Sequence, residues 1–388
     1  MASLKNKLPA SSRSFHYFEN SMNAKLEEVS QAVEKQNTNS QKILSKLEKL
    51  EEKQAILEKK IYYYSESLIR DGFKTTHDAR MNMFKNLPEA EWSMRLCQLA
   101  NAKLMFELDK ILEKNKLNYW ASYGTLIGAV VLNGPMPWDD DMDICMMRDD
   151  LEKLRMILNK NKDFQVTVVY DWYVKCIQYR FCSRNIKVPA FIDITVWDYG
   201  TERTMENEMK MREIRSEMMD EFNKTDLEYW AEKKVMPEPG SGFMRQSMDD
   251  ASKDSWDDYD MKKVGAEATI INKIFDKYRE KAKKQGIISD KKNAKSLIYS
   301  FDNLMLLKNR RTIYEKKMIF PVRKKKYEHF AISCPGDSES YLDTCYNDWP
   351  YLIDNDDILA RFHFNPEVLA APEVQDAIYK FIGLPRLK

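Results

Sequence analysis

Four carboxylates crowd into five positions at Asp139, Asp140, Asp141 and Asp143, inside the otherwise apolar stretch Met136-Pro137-Trp138-Asp139-Asp140-Asp141-Met142-Asp143-Ile144. On an extended backbone successive side chains alternate between faces. Asp139, Asp141 and Asp143 then share one side while Met142 and Ile144 pack on the other. Like charges this close repel one another unless a cation sits among them. Hard oxygen donors on one face suit Mg²⁺ or Mn²⁺, the ions that neutralise a diphosphate and its leaving group. The spacing points to metal-assisted phosphate chemistry.

The elements that would position these groups lie on either side. Upstream, Tyr119 to Tyr123 reads as a strand, and Leu126 to Leu132 reads as a short apolar helix. The residues between them, Tyr123, Gly124 and Thr125, form a turn whose helix-start N–H groups face the acidic stretch and could cradle an anion. The plain alternative is a tight turn in a core strand–helix unit. Downstream, Phe191-Ile192-Asp193-Ile194-Thr195-Val196-Trp197 is a β-branched, aromatic strand interrupted by one carboxylate. A lone acid in such a strand costs free energy unless it is capped by a Lys or Arg or ligates a cation. Asp193 is therefore a third ligand candidate. Asp198, at opposite strand parity, reads as a strand-end or turn residue.

The run Tyr123-Gly124-Thr125-Leu126-Ile127-Gly128-Ala129-Val130, then Gly134, then Pro137-Trp138-Asp139-Asp140-Asp141-Met142-Asp143-Ile144, resembles the LicD family, which includes bacterial phosphocholine transferases and to which fukutin and the fukutin-related protein are similar. The resemblance runs from about Leu96 to the C-terminus and is strongest up to Asp198. It implies an α/β (α+β) nucleotidyltransferase-like core with helical insertions. It further implies transfer of phosphocholine or an alditol phosphate from a CDP-linked donor to a hydroxyl of a surface glycan or lipid-linked glycan. It places the metal pair on Asp141 and Asp143, with Asp193 as third carboxylate and proton acceptor, two Mg²⁺ (or Mn²⁺) ions, and Trp138 and Asp139 at the donor.

The family commonly carries Arg and His where this chain reads Val131-Leu132. A phosphate contact would then fall to Lys175, Arg180 or Arg184, with Lys175 and Arg180 favoured because they sit in the strand-like stretch Trp172 to Phe181. Phe320-Pro321-Val322-Arg323-Lys324-Lys325-Lys326-Tyr327-Glu328 resembles a weaker second signature, from which Arg323 and Glu328 are the site candidates. Its basic run reads as a solvated face, a phosphate contact or an attraction to anionic lipid.

At 388 residues, with 43% hydrophobic residues and a formal charge of +1, the chain suits one sizeable domain plus an appendage and shows no basic excess for nucleic acid. No apolar run is long enough for a membrane span or a signal peptide, so the expected address is cytoplasmic, at most peripheral at the inner face of a membrane. Six cysteines without a CxxC pair read as reduced.

Residues 1–21 read as a flexible N-terminus. Within 22–70, Met22, Leu26, Val29, Val33, Gln36, Ser40, Ile43, Leu47, Leu50, Gln54, Leu57, Ile61, Tyr64 and Leu68 step by threes and fours, a heptad seam that predicts a coiled coil and a homo-oligomer. The alternative is one amphipathic helix folded back on the globular part. Residues 71–95 read as a linker and 96–388 as the catalytic domain, with a helical insertion at about 201–295. Two competing functions remain at this level. A nucleotide-sugar glycosyltransferase also uses an Asp-x-Asp strand end, and a non-catalytic coiled-coil assembly module would carry a degenerate domain.

Overall fold

The computed structural model describes residues 84–244, 255–304, 311–346 and 366–385, together with residue 349 and short stretches between 46 and 82. The chain divides into two compact units, residues 1–62 and 63–388. In the first, residues 53–61 are helical, and Leu57 and Ile61 of the expected seam are exposed, as is Leu50. Gln54 of the seam is exposed as well, and the remaining seam residues lie outside the described residues.

The second unit is built on a mixed sheet. Its elements in chain order are α1 (Trp92–Lys114), β1 (Tyr119–Ala121), α2 (Tyr123–Val131), β2 (Met142–Met147), α3 (Arg148–Leu158), β3 (Phe164–Asp171), β4 (Cys176–Ser183) and β5 (Phe191–Gly200). There follow α4 (Met205–Lys224), α5 (Glu228–Lys233), β6 (Val235–Pro237), α6 (Met261–Lys284), β7 (Ser296–Tyr299), β8 (Ile313–Glu315), α7 (Lys316–Ile319), β9 (Arg323–Tyr327), β10 (Phe330–Cys334), α8 (Ser338–Tyr346), α9 (Pro366–Ala370) and α10 (Pro372–Ile382). The main sheet runs β1-β2-β5-β4-β3-β6, with β7 on the far half of β5 and β8 beyond it; β9 and β10 form a separate hairpin. Within this sheet β2 and β5 run parallel, whereas β4 runs antiparallel to β5. This is the α+β architecture that the resemblance to the LicD family implies.

Boundaries differ from the sequence reading where local chemistry overrides pattern. The first strand stops at Ala121 and the helix begins already at Tyr123, because Ser122 takes an extended conformation and its carbonyl accepts from Leu126 N–H. Residues 172–175 form a turn rather than strand, so β4 starts only at Cys176. The insertion expected at about 201–295 opens with two helices, α4 and α5, parted where Thr225 becomes extended and returns its hydroxyl to the Glu221 carbonyl. The start of α4 is fixed by Thr204, whose hydroxyl accepts from Asn207 N–H at 3.1 Å, and that of α6 by Asp260, which accepts from Lys262 and Lys263 N–H.

The insertion has its own core. Met211, Ile214, Met218 and Phe222 of α4 pack with Val264, Ile271 and Phe275 of α6 and with Trp230. Arg215, fully buried on the same helix, donates to the Tyr299, Ser300 and Asn303 carbonyls at 2.5, 2.8 and 2.6 Å, which ties the insertion to the end of β7. Burial pulls its guanidinium down to about 10.

Asp198 is neither strand end nor turn. It lies within β5, paired with Ile298, and binds Arg148 at 2.7 and 2.9 Å, while Arg148 also binds Asp302 and Ser300. Burial alone would lower the Arg148 guanidinium, but Asp302 and Asp198 raise it. No helix among the described residues is long and apolar enough to cross a membrane. All six cysteines are buried and unpaired with one another.

Candidate active site

A row of three charges crosses the sheet. Asp143 on β2 is in register with Asp193 on β5, and Asp193 is opposite Arg180 on β4. In-register neighbours point to the same face, so the three side chains stand side by side. Asp141, two residues before Asp143, joins them just outside the strand. One carboxylate oxygen from each of Asp141, Asp143 and Asp193 lies within 4.8 Å of the others. Ligand oxygens around a six-coordinate Mg²⁺ with 2.1 Å bonds are roughly 3–4 Å apart, so a small closure of this trio would hold one.

Arg180 is the direct partner of Asp193, with Nε to Oδ1 at 2.6 Å and Nη2 to Oδ2 at 3.4 Å, and its guanidinium lies 4.2 Å over the Phe191 ring. Burial would lower its pKa, but the charge and hydrogen bonds of Asp193, with Asp141 behind, raise it above the ordinary value. Arg180 therefore reaches the site, and through Asp193. Asp193 is thus paired with an arginine, as one reading of the sequence had it, and at the same time lies close to Asp141 and Asp143.

The turn before β2 is shaped by α2. A Cβ on Gly124 would sit 2.4 Å from Asp139 Oδ2, so the absence of a side chain is what lets the Asp139 carboxylate lie against the start of this helix. Thr125 is buried, and its hydroxyl accepts from the Asp143 N–H at 2.8 Å, which fixes the backbone of a triad residue. Ser122 N–H donates to the Asp143 carbonyl on the other side. Tyr123 has φ 48° and stacks edge-on with Tyr346, and burial drives its phenol well above the usual value. Trp138, next to Asp139 in the chain, is buried. Gly128 is fixed by close approach at the other end of α2, where an added Cβ would meet the Gly134 carbonyl at 2.2 Å.

The second signature reaches the site through its end. Tyr327 is buried, which pushes its phenol well up, and Asp139, Glu328 and Asp141 act on it in the same direction. Glu328, at φ 53°, is held by Arg95 of α1 at 2.5 and 3.1 Å, and its N–H donates to the Asn133 carbonyl at 2.6 Å.

Two expected site residues are elsewhere. Lys175 precedes Arg180 by five residues, about 16 Å along an extended chain, and its ammonium donates to the Trp172 carbonyl at 2.7 Å over the Trp172 ring. Arg323 is exposed at the opposite end of β9 from Tyr327, about 13 Å away along the strand. Its neighbour Lys324 is engaged by Asp109 and Glu113 of α1. Arg184 bonds the Asn161 and Leu158 carbonyls and Gln165, a structural task just past the end of β4.

Sequence reading missed the residues of α1 that grip this site. Gln98 donates to the Met136 and Asp139 carbonyls at 2.9 and 3.0 Å, and Asn101 donates to the Asp140 carbonyl at 2.7 Å. The only signal was two carboxamides three positions apart on the apolar face of a helix. Two surface cavities, about 450 Å³ beside Phe164, Arg184 and Phe381 and about 620 Å³ beside Arg203, Lys316 and Phe320, include no triad residue. Asp141 is buried, and Asp143 and Asp193 are half-buried.

Residues 116–230 match the family described as LicD/FKTN/FKRP, nucleotidyltransferase domain. An uncharacterized protein of Rickettsia prowazekii is 41% identical over 18% of this chain and 26% of its own length. A second, of Rickettsia typhi, is 37% identical over 19% of this chain and 24% of its own. The lipopolysaccharide cholinephosphotransferase LicD of Haemophilus influenzae is 36% identical over 27% of this chain and 44% of its own length. The chain thus spans less than half the length of each of these relatives. The matched stretch contains α2, β2, β4 and β5, and with them Asp141, Asp143, Arg180 and Asp193. By this match residues 116–230 of the chain are similar to the nucleotidyltransferase domain of the LicD family.

Proposed function

We propose that this protein is a metal-dependent phosphotransferase that moves a phosphorylated alcohol, phosphocholine or an alditol phosphate, from a CDP-linked donor to a hydroxyl of a surface glycan or lipid-linked glycan. The observation that carries the reading is the convergence of Asp141, Asp143 and Asp193 across two parallel strands inside the family-matched stretch. The activity in the name of the Haemophilus relative, cholinephosphotransfer to lipopolysaccharide, agrees with it in chemical class.

Asp141, Asp143 and Asp193 would hold Mg²⁺ or Mn²⁺, which when bound supplies charge neutralisation for a diphosphate. The remaining work belongs to the chain. Arg180 orients Asp193, and Thr125 and Ser122 hold the backbone of Asp143, so only a small closure separates the trio from a metal-holding arrangement. The start of α2, with Gly124 and Asp139, lines the donor side, and Tyr327 and Glu328 close the site from the hairpin. Asp193, whose side chain keeps 26% of its surface exposed, receives the proton of the acceptor hydroxyl during in-line attack on phosphorus. Lys175 and Arg323 have no part in this reading. The N-terminal seam assembles the chain into a homo-oligomer, and the enzyme works at the cytoplasmic side, meeting a lipid-linked acceptor at the membrane surface.

Calorimetric titration with CDP-choline, CDP-ribitol, CDP-glycerol and UDP-sugars, with and without Mg²⁺, tests this. Metal-dependent binding of one CDP-alcohol, lost in Asp141→Asn while the fold persists by circular dichroism, is the expected result. A preference for a UDP-sugar would move the protein to the glycosyltransferases.

A further inference from the structure

The three carboxylates come from two chain segments with no covalent reason to keep their spacing. Asp141 and Asp143 stand at the start of β2 and Asp193 near the start of β5, about fifty residues later by sequence. Beyond the ladder between these strands, side chains of α1 join the two strand starts, Cys97 through long Sγ contacts to the Asp140 and Pro189 carbonyls and Asn101 through two short hydrogen bonds. Asn101 of α1, 1% exposed, uses both ends of its carboxamide: Nδ2 donates to the Asp140 carbonyl at 2.7 Å, and Oδ1 accepts from the Phe191 N–H at 3.0 Å. Asp140 precedes Asp141, and Phe191 is two residues before Asp193.

Gln98, 3% exposed and one turn earlier on the same helix face, fastens the outer part of the acidic turn through the Met136 and Asp139 carbonyls. Cys97 Sγ adds a longer contact to the Asp140 carbonyl at 3.4 Å. Helix α1, at Trp92–Lys114, lies wholly before the family-matched residues 116–230.

We infer that Asn101 is a positioning residue that sets the distance between the two ligand-bearing segments, with Gln98 fastening the acidic turn to the same helix, so that the affinity of the triad for a divalent cation depends on a helix outside the matched domain. This rests on the metal-holding reading of the triad given above. A buried carboxamide is suited to the task because it offers a donor and an acceptor in one rigid plane and carries no charge of its own to compete with the carboxylates for the cation. An Asp or Lys in its place would alter the field of the site as well as its shape.

Mn²⁺ titration of the full-length protein, with free Mn²⁺ read by electron paramagnetic resonance, tests the assignment on Asn101→Leu, Gln98→Met, Asp141→Asn and a control, Met218→Ala, in the insertion's own core. Asn101→Leu is expected to weaken Mn²⁺ binding by about tenfold or more, Gln98→Met by less, as removal of groups that orient metal ligands does. The control should melt earlier yet bind Mn²⁺ as the wild type does. Native affinity in both carboxamide variants would overturn the inference, and so would an equal loss in Met218→Ala, which would mark the effect as general destabilisation. If Asn101→Leu fails to fold, Gln98→Met decides by the same criterion. Failure of the wild type itself to bind Mn²⁺ is a separate result that removes the metal reading and the inference with it.

Discussion

At the scale of single residues, Gly124 shows how little freedom the site has. Its missing side chain is the space occupied by Asp139 Oδ2, 2.4 Å from where a Cβ would be. Asp139 is short and starts from a turn held by Gln98, so it cannot swing aside as a long side chain would. Gly124→Ala is expected to reduce donor binding in calorimetry more than tenfold while costing only about 1–3 kcal/mol of stability in urea unfolding, the range for one methyl forced into a filled space. Unchanged donor affinity would remove Asp139 and the start of α2 from the donor side. Asp193 and Asp198 make a complementary point. Five residues apart on one strand and on opposite faces, they have each found an arginine, but Arg180 stands in the carboxylate row whereas Arg148 binds the far end of the sheet to Asp302.

At the scale of elements, the turn between β3 and β4 is a self-contained piece of electrostatics. Lys175 is buried at φ 48° against Trp172, and desolvation, only partly offset by Asp171, brings its ammonium down to about 8 from 10.5. The folded state thus binds this proton less tightly than the unfolded chain. The unfavourable contribution is complete below pH 8, and wild-type stability gains as pH rises from about 8 towards 10.5, where the unfolded state alone still holds the proton. Lys175→Met should therefore raise the melting temperature at pH 7, with the advantage shrinking through that window and no effect on Mg²⁺-dependent donor binding. A melting difference independent of pH, or lost donor binding, would contradict the account. The insertion helices belong to this scale as well: Arg215 anchors them to the residues after β7, which leaves the outer faces of α4 and α6 for charged residues that pair with one another, as Lys277 does with Glu221 and Lys281 with Glu217.

At the scale of the whole molecule, the two units have different kinds of sequence and call for different experiments. The heptad seam leaves Leu50, Leu57 and Ile61 exposed on a single chain, and apolar residues at this period are covered when helices associate. A chain shortened to begin near Asn82 is expected to sediment as a monomer while the full-length protein sediments as a dimer or trimer. The same oligomeric state for both would remove the coiled coil as the cause of assembly. Binding of Mn²⁺ by the shortened chain should equal that of the full chain, because every triad ligand and both α1 carboxamides lie beyond residue 82.

The acidic stretch, the Gly-Thr turn and the lone acid of a β-branched strand were legible in sequence because they are local: period-two alternation and crowded like charges carry their own meaning over a few residues. So was the resemblance to the LicD family, which implies the α+β class. The pairing of Asp143 with Asp193 and of Asp193 with Arg180 is a matter of strand register, which depends on which strands become neighbours, and no spacing along the chain encodes that. For the same reason Lys175 and Arg180, five residues apart in what reads as a single strand, part company only when a turn takes the first and a ladder the second. The grip of Gln98 and Asn101 was hidden further, since a carboxamide in a helix looks alike whether it faces water or spans two loops. Burial decided its role, and burial is a property of the packed chain rather than of any segment of it.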